Sequence, residues 1–291
     1  MTTAELLKRV RQVEIKTRGM VNQVFSGEYH SVFKGRGMEF SEVREYQYGD
    51  DIRQIDWNVT ARNNKPFVKI FEEERELTVM LVVDVSRSGS FGTAAATKME
   101  VATEICAVLA FSAIRNNDKV GMVLFSDTVE KYIAPKKGKS HILRLVRELL
   151  SHEPEGTGTD IGGALEYLNS VTKKRSIAFV VSDFIGRDFQ KALRIVGKRH
   201  DVIAVTLTDP REREMPAVGL MKLRDAESGA ERWIDTSDAN IRRSFAAWWR
   251  SHEETLKRTF LSTKVDRIAI EVDKPYIRPL VDFFKMRESR I

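Results

Sequence analysis

From Leu77 onward, apolar and polar residues follow two different spacings that alternate along the chain. Unbroken apolar runs such as LTVMLVV predict strands buried on both faces, as in the centre of a parallel sheet. Apolar residues three and four positions apart predict helices between them. This alternation predicts an α/β fold with a doubly wound, mostly parallel sheet and helices on both faces. The predicted strands are 77–83, 119–125, 128–133, 177–181, 202–207 and 266–272, and the predicted helices are 97–114, 141–150, 162–171, 190–197, a long helix starting near 235–238, and 276–287.

Two segments depart from this alternation. Residues 1–76 combine a helix predicted over 3–15 with short aromatic and β-branched runs, which predicts an N-terminal helix and a small β-rich accessory subdomain. The main domain then covers 77–291. Inside it, two short strand candidates flank the turn-forming run DAESG and predict a hairpin inserted at about 215–235.

The composition favours a globular protein without a membrane span. Hydrophobic residues make up 42% of the chain, but no apolar run reaches the roughly 18 residues that a span requires. The N-terminus carries charge from its fifth residue and lacks the apolar centre of a secretion signal. A cytoplasmic location is therefore expected. The single cysteine, Cys106, lies in an apolar helical stretch and is expected to fill the core.

The charge pattern gives weak support for nucleic-acid binding. The net charge is +6, but 48 basic residues are interleaved with 42 acidic ones. A candidate basic patch has no aromatic residues among it for stacking on bases, so no nucleic-acid partner is expected. A nucleic-acid-binding accessory protein stays open as an alternative. The patch consists of Lys136, Lys137, Lys139, Arg144 and Arg147.

Oxygen-bearing side chains follow the first strand of the main domain. Asp84, Ser86 and Ser88 alternate along one loop, and ligands of parallel sheets bind at such strand ends. Further oxygens come from Thr159, just before a helix, and from Asp183, which ends the strand expected next to the first one. Mg²⁺ prefers such oxygen ligands and retains waters. Aspartates alone decide nothing, because Asp127 and Asp209 end other strands.

Catalytic motifs are not evident. The Gly-Lys-Ser of KKGKSH lacks the first glycine of a phosphate-binding loop, because Ile133 stands there. The five histidines are scattered, and no serine or cysteine lies in a nucleophile motif. A non-enzymatic protein is therefore expected. A metal-dependent hydrolase stays open as an alternative, since the site has an open position for substrate but no evident base.

The five oxygen-bearing positions resemble the metal-ion-dependent adhesion site of von Willebrand factor A domains. That pattern is Asp-x-Ser-x-Ser, then a Thr with Gly three residues later, then an Asp ending a later strand. The resemblance implies that Ser86, Ser88 and Thr159 contact a metal directly, while Asp84 and Asp183 act mainly through waters. The metal would be Mg²⁺, with Mn²⁺ as an alternative. A partner protein would complete the coordination with an Asp or Glu carboxylate. Thr157 is a rival for Thr159, but only Thr159 has a glycine, Gly162, at the required offset.

The resemblance extends over nearly the whole chain. The segments GRGMEFSEVREYQYGDDIRQIDWNVTARNNKPFVKIFEEERE and DPREREMPAVGLMKLRDAESGAERWIDTS resemble the bacterial family called domain of unknown function 58. Gly89 departs from the Met that many relatives carry, but it supplies no ligand. The resemblance implies a MoxR-type AAA ATPase as partner and a chaperone-like role in assembly or maturation of a protein complex.

Charged residues of the N-terminal signature are expected to serve structure rather than a second binding site. They are predicted to form ion pairs that fix the small subdomain on the main domain, with Trp57 packed between them. The residues are Arg44, Asp50, Asp51, Arg53, Asp56 and Arg62.

Overall fold

A computed structural model describes residues 3–21, 38–63, 65–73, 76–92, 96–225 and 229–290. The chain divides into two compact units. The smaller unit spans Phe33–Leu77, and the larger one combines Met1–Val32 with Thr78–Ile291. Within the described residues, no helix is both long and apolar enough to cross a membrane.

The larger unit is built on a six-stranded sheet with the order β10-β7-β6-β3-β4-β5. Neighbouring strands are parallel, except that β5 runs antiparallel to β4 at one edge. The central strands are buried on both faces, as their continuous apolar sequences predict. The predicted α/β class with a mostly parallel sheet is confirmed. The strands are β3 (Thr78–Asp84), β4 (Lys119–Phe125), β5 (Val129–Lys136), β6 (Ile177–Ser182), β7 (Asp201–Thr208) and β10 (Asp266–Glu271).

Helices cover the sheet between successive strands. The helix Lys98–Arg115, called α3, starts with a capping box in which Thr97 and Glu100 satisfy each other's backbone N–H groups. Most of α3 is buried, including Cys106, and burial raises the pKa of that thiol to about 12. The other helices of this unit are α1 (Thr3–Met20), α4 (Lys139–Ser151), α5 (Ile161–Val171), α6 (Gln190–Arg199), α7 (Pro210–Arg213), α8 (Ala239–Thr263) and α9 (Ile277–Glu288).

The N-terminal helix α1 belongs to the larger unit, which differs from the predicted grouping with the accessory subdomain. It packs against α3 and α4. Lys16 Nζ lies 2.6 Å from a Glu104 carboxylate oxygen of α3, and Lys139 Nζ of α4 lies 2.6 Å from Glu14. Val10 and Thr17 of α1 are buried as well, and the sequence alone does not show which segments cover them.

The predicted hairpin is present. Strands β8 (Leu220–Arg224) and β9 (Glu231–Asp235) pair antiparallel within the predicted 215–235 segment, between β7 and α8. The tip of the turn, 226–228, lies outside the described residues.

The smaller unit contains the antiparallel pair β1 (Met38–Glu45) and β2 (Phe67–Glu73) and the helix α2 (Trp57–Asn63). Arg44 donates two hydrogen bonds to the Asp50 carboxylate, at 2.7 and 2.8 Å, so these two residues pair within the smaller unit. Asp51 instead accepts from the backbone N–H of Arg53, and Asp56 caps α2. The predicted packing of Trp57 is wrong, since 67% of this residue is exposed. Residues 35–37, with which the quoted segment begins, lie outside the described residues.

Candidate metal centre

The predicted aspartates lie side by side at one edge of the sheet. Asp84 ends β3, and β3 pairs in parallel with β6, where Val83 lies opposite Val181. Asp84 therefore lies beside Ser182, and Asp183 follows at once. Parallel neighbours bring their carboxyl ends to the same edge, which is why residues almost 100 positions apart in sequence meet here.

Asp84 is held by two hydrogen bonds. The backbone N–H of Ser86 donates to Asp84 Oδ1 at 2.9 Å, and the Ser182 hydroxyl donates to Asp84 Oδ2 at 2.6 Å. Burial, reinforced by the charge of Asp183, raises the pKa of Asp84 to about 6. Both carboxylate oxygens thus point at fixed donors, an arrangement that suits a group acting on a cation through water.

The serine hydroxyls form a short chain of oxygens that ends on Asp183. The loop after β3 turns through a 3₁₀ helix, Arg87–Ser90. This turn places Ser86 Oγ 3.1 Å from Ser88 Oγ, and the Ser88 hydroxyl donates to Asp183 Oδ2 at 2.9 Å. The structure therefore brings together four of the five predicted oxygen donors.

Thr159 approaches the same edge from another loop. It is buried and precedes α5, whose N-cap Asp160 accepts a hydrogen bond from Gly163 N–H at 2.9 Å. A Cβ added at Gly186, three residues after Asp183, would lie only 2.9 Å from the Thr159 carbonyl oxygen. Gly186 thus allows the loop carrying Asp183 to pack against Thr159. Sequence reasoning credited the glycines beside Thr159 and missed Gly186.

Lys98 is a further site residue that the sequence analysis missed. Its side chain is 3% exposed, and its Nζ donates to Asp183 Oδ2 at 2.7 Å and to Glu212 Oε1 at 2.5 Å. Burial opposes the charged form, but the two carboxylates outweigh it and raise the pKa of Lys98. Burial also raises the pKa of Glu212, although Lys98 offsets part of that effect. A lysine at the first position of a helix resembles a solvated residue in sequence, so only the fold reveals this ion pair.

The donor set fits a hard divalent cation. Neighbouring ligands of an octahedral Mg²⁺ with bonds of about 2.1 Å are about 3 Å apart, close to the 3.1 Å separation between the Ser86 and Ser88 hydroxyl oxygens. Among the described residues, no three or more His, Cys, Asp and Glu side chains gather as a metal site. A cation here would depend on hydroxyl oxygens, which do not suit metals that prefer nitrogen or sulfur.

Comparison with known proteins identifies relatives over most of the chain. An uncharacterized protein of Mycobacterium tuberculosis is 30% identical over 286 residues, which cover 97% of this chain and 90% of that protein. The crystal structure of the conserved hypothetical protein BatB from Bacteroides thetaiotaomicron is 16% identical, with a TM-score of 0.49 over 74% of this chain and all of that one. The SpRpn10 VWA domain is 12% identical, with a TM-score of 0.40 over 71% of this chain and 94% of that one.

A family model covers most of the chain, including most of the first and all of the second segment that carry the resemblance. It matches residues 42–255, which include the loop after β3, Thr159, Asp183 and the hairpin. The chain belongs to the family described as protein of unknown function DUF58.

Proposed function

We propose that this protein is a divalent-metal-dependent protein-interaction module. Mg²⁺, with Mn²⁺ as the alternative, would be held directly by Ser86, Ser88 and Thr159, and through waters by Asp84 and Asp183. The observation that carries the proposal is the chain of close oxygens from Ser86 through Ser88 to Asp183. The proposed role is binding and not catalysis.

The charge balance of the site supports a carboxylate from a partner. The direct ligands are neutral hydroxyls, and Asp183 shares its Oδ2 with the Lys98 ammonium. A dication in this setting would lack full charge compensation from the protein. An Asp or Glu side chain of a second protein would supply the missing negative charge and an oxygen ligand. A bound cation would thus allow this site to bind a carboxylate of the partner.

A MoxR-type AAA ATPase is the proposed partner, in chaperone-like assembly or maturation of a protein complex in the cytoplasm. This part of the proposal is supported by the family resemblance, which covers the metal motif and the segments on both sides of it. The expected result is co-purification of the ATPase with the wild type in Mg²⁺ and a loss of at least about tenfold with Ser86→Ala, as one metal-bridged contact worth about 1.4 kcal/mol requires. Unchanged recovery would contradict a metal-bridged contact.

Thermal unfolding in EDTA, Mg²⁺ and Mn²⁺ tests the metal site directly. A cation at 100 times its dissociation constant stabilises the folded state by about 2.7 kcal/mol, a rise in melting temperature of about 5 °C or more. We expect this rise in the wild type and its loss in Ser86→Ala and Asp84→Asn. Asp127→Asn is the matched control, because Asp127 lies in the loop after the neighbouring strand β4 and is exposed. A rise that persists in Ser86→Ala, or is absent from the wild type, would overturn the metal site.

A further inference from the structure

An apolar groove lies beside the candidate metal centre. It has a volume of about 660 Å³, within the range of ligand-binding pockets, and it runs between the β8–β9 hairpin, the α7 turn and helix α8. We call it the hairpin groove. Its apolar lining consists of Phe91, Met215, Pro216, Met221, Leu223, Ile234 and Phe245.

One face of the hairpin forms a wall of this groove. Met221 lies opposite Ile234 in the strand register, and Leu223 lies opposite Arg232. Alternate residues of a strand point to opposite faces, so Lys222 and Trp233 belong to the other face. The apolar side chains of the groove face are half-buried and leave a cavity open between the hairpin and Phe245 of α8.

The charged lining of the groove is predominantly basic. Arg211, Arg224 and Arg232 line it, Arg224 from the end of β8 on the side of Lys222, and no ion pair joins any of them to another residue that the structure describes. Of the two acidic lining residues, Glu212 is already bound to Lys98. Among the described residues, Arg211 and Arg232 therefore lie beside an apolar floor without an ion-pair partner, which is complementary to a segment with both carboxylate and bulky apolar side chains.

The groove is continuous with the loop after β3, which carries Ser86 and Ser88. Phe91 lines the groove, and its backbone N–H donates to Ser88 O at 3.1 Å. The Lys98 N–H donates to Phe91 O at 3.1 Å, while Lys98 Nζ joins Asp183 to Glu212 at the groove's edge. A chain lying in the groove would therefore have one end next to the proposed cation.

We propose that the hairpin groove binds an acidic, apolar segment of the partner protein. Bulky apolar side chains fill the floor, flanking carboxylates pair with the arginines, and one further carboxylate reaches the metal. The last contact rests on the proposed function, whereas the groove contacts do not. A single-stranded nucleic acid would also be drawn to the arginines, but the mainly aliphatic and thioether floor offers few aromatic faces for base stacking.

A random dodecapeptide display library, selected on the immobilised full-length protein in Mg²⁺ and counter-selected on Arg232→Glu, identifies ligands without knowledge of the partner. We expect recovered peptides to be enriched in Asp or Glu together with Leu, Ile, Met or Phe. Failure to enrich any sequence, or enrichment of basic sequences, would overturn the proposal.

Binding of one recovered peptide, labelled with fluorescein, is then measured by anisotropy. We expect the affinity to fall at least tenfold in Arg232→Glu and in Met221→Glu. Trp233→Glu, on the opposite face of β9, and Arg250→Glu, on the exposed side of α8, are matched controls that should stay within twofold. Circular dichroism of each variant verifies the fold. Equal losses in the controls and the groove variants would overturn the assignment to this groove.

The same titrations separate this inference from the metal proposal. Peptide binding that is lost in Arg232→Glu but unchanged by EDTA and by Ser86→Ala supports the groove and contradicts the metal contact. Mg²⁺-dependent stabilisation without any groove-dependent peptide supports the metal site and overturns the groove. A single-stranded oligonucleotide that displaces the peptide and loses affinity in Arg232→Glu would show the groove to be a nucleic-acid site and overturn the peptide assignment.

Discussion

The two ends of strand β6 carry buried polar clusters that differ in charge. At the N-terminal end, the Ser176 N–H lies 3.2 Å from His200 Nδ1 and donates to it, and burial with nearby Arg199 and Arg175 lowers the pKa of His200 to about 4. At the C-terminal end, Ser182 binds Asp84, and Asp183 binds Lys98.

Burial acts on both clusters, but only one of them retains a charged network. The N-terminal cluster is held neutral: Ser176 binds His200 Nδ1, and His200 Nε2 is buried with no hydrogen-bond partner among the described residues. The C-terminal cluster raises the pKa of Lys98 and adjoins both the candidate metal centre and the hairpin groove. The comparison shows that a polar strand end becomes a candidate binding site when it buries charge next to an opening, whereas burial of polar atoms alone is not enough.

The largest loss of stability is expected from Lys98→Met, which removes the ammonium group from the C-terminal cluster. This change leaves Asp183 and Glu212 buried without their ammonium partner, and loss of one member of a buried pair costs about 3–5 kcal/mol. Urea unfolding in EDTA measures the loss, and Mg²⁺ should restore part of it because a dication replaces the missing positive charge. Lys139→Met is the control. Lys139 also pairs with a glutamate but is 52% exposed at its side chain, so its loss should be below about 1 kcal/mol. Equal losses in the two variants would contradict a special role for the buried pair.

A smaller effect is expected from Gly186→Ala. The added Cβ would come within 2.9 Å of the Thr159 carbonyl oxygen, so the two loops must separate at a cost of about 1–3 kcal/mol. If Thr159 holds the metal, stabilisation by Mg²⁺ should weaken as well, which calorimetry would measure. Gly19→Ala in α1 is the control, since nothing lies within 4 Å of the added atom. That variant should keep the full Mg²⁺ response, and a full response in Gly186→Ala would argue against Thr159 as a ligand.

The neutral end is tested through the pH dependence of stability. Because the folded state keeps His200 neutral with a pKa of about 4, whereas an unfolded histidine titrates near 6.5, the unfolded chain binds the proton first. The stability that depends on neutral His200 is complete above about pH 6.5 and is lost as the pH falls toward 4. In His200→Gln, the free energy of unfolding should vary less over this interval. Urea titrations at successive pH values measure the slope, and parallel profiles for the two proteins would refute the assignment.

The sequence predicted the central strands well, because a strand buried on both faces needs a continuous apolar run. It also predicted the meeting of Asp84 with Asp183, because the carboxyl ends of adjacent parallel strands share one edge. Whether these residues hold a cation stays a prediction.

Other features depend on contacts that no local pattern encodes. The pairing of Lys98 with Glu212 spans 114 positions and joins two helix starts that look solvated in sequence. The helical spacing of Ile241, Phe245 and Trp248 predicts that these residues face the core, but Trp248 is 51% exposed and Trp249 is buried in its place. A shift of one position rotates a helix by about 100°, so only packing against neighbours decides which tryptophan turns inward.

The reactivity of Cys106 reports whether helix α3 is packed on the sheet. It is the only thiol of the chain and is fully buried, and reagents attack the thiolate, which the raised pKa makes scarce. A thiol reagent can therefore label Cys106 only when α3 separates from the sheet. The labelling rate measures how often this local opening occurs. Because the same helix begins at Lys98, a ligand bound at the candidate metal centre would lower the labelling rate of Cys106. Ligand binding could thus be followed without an engineered probe.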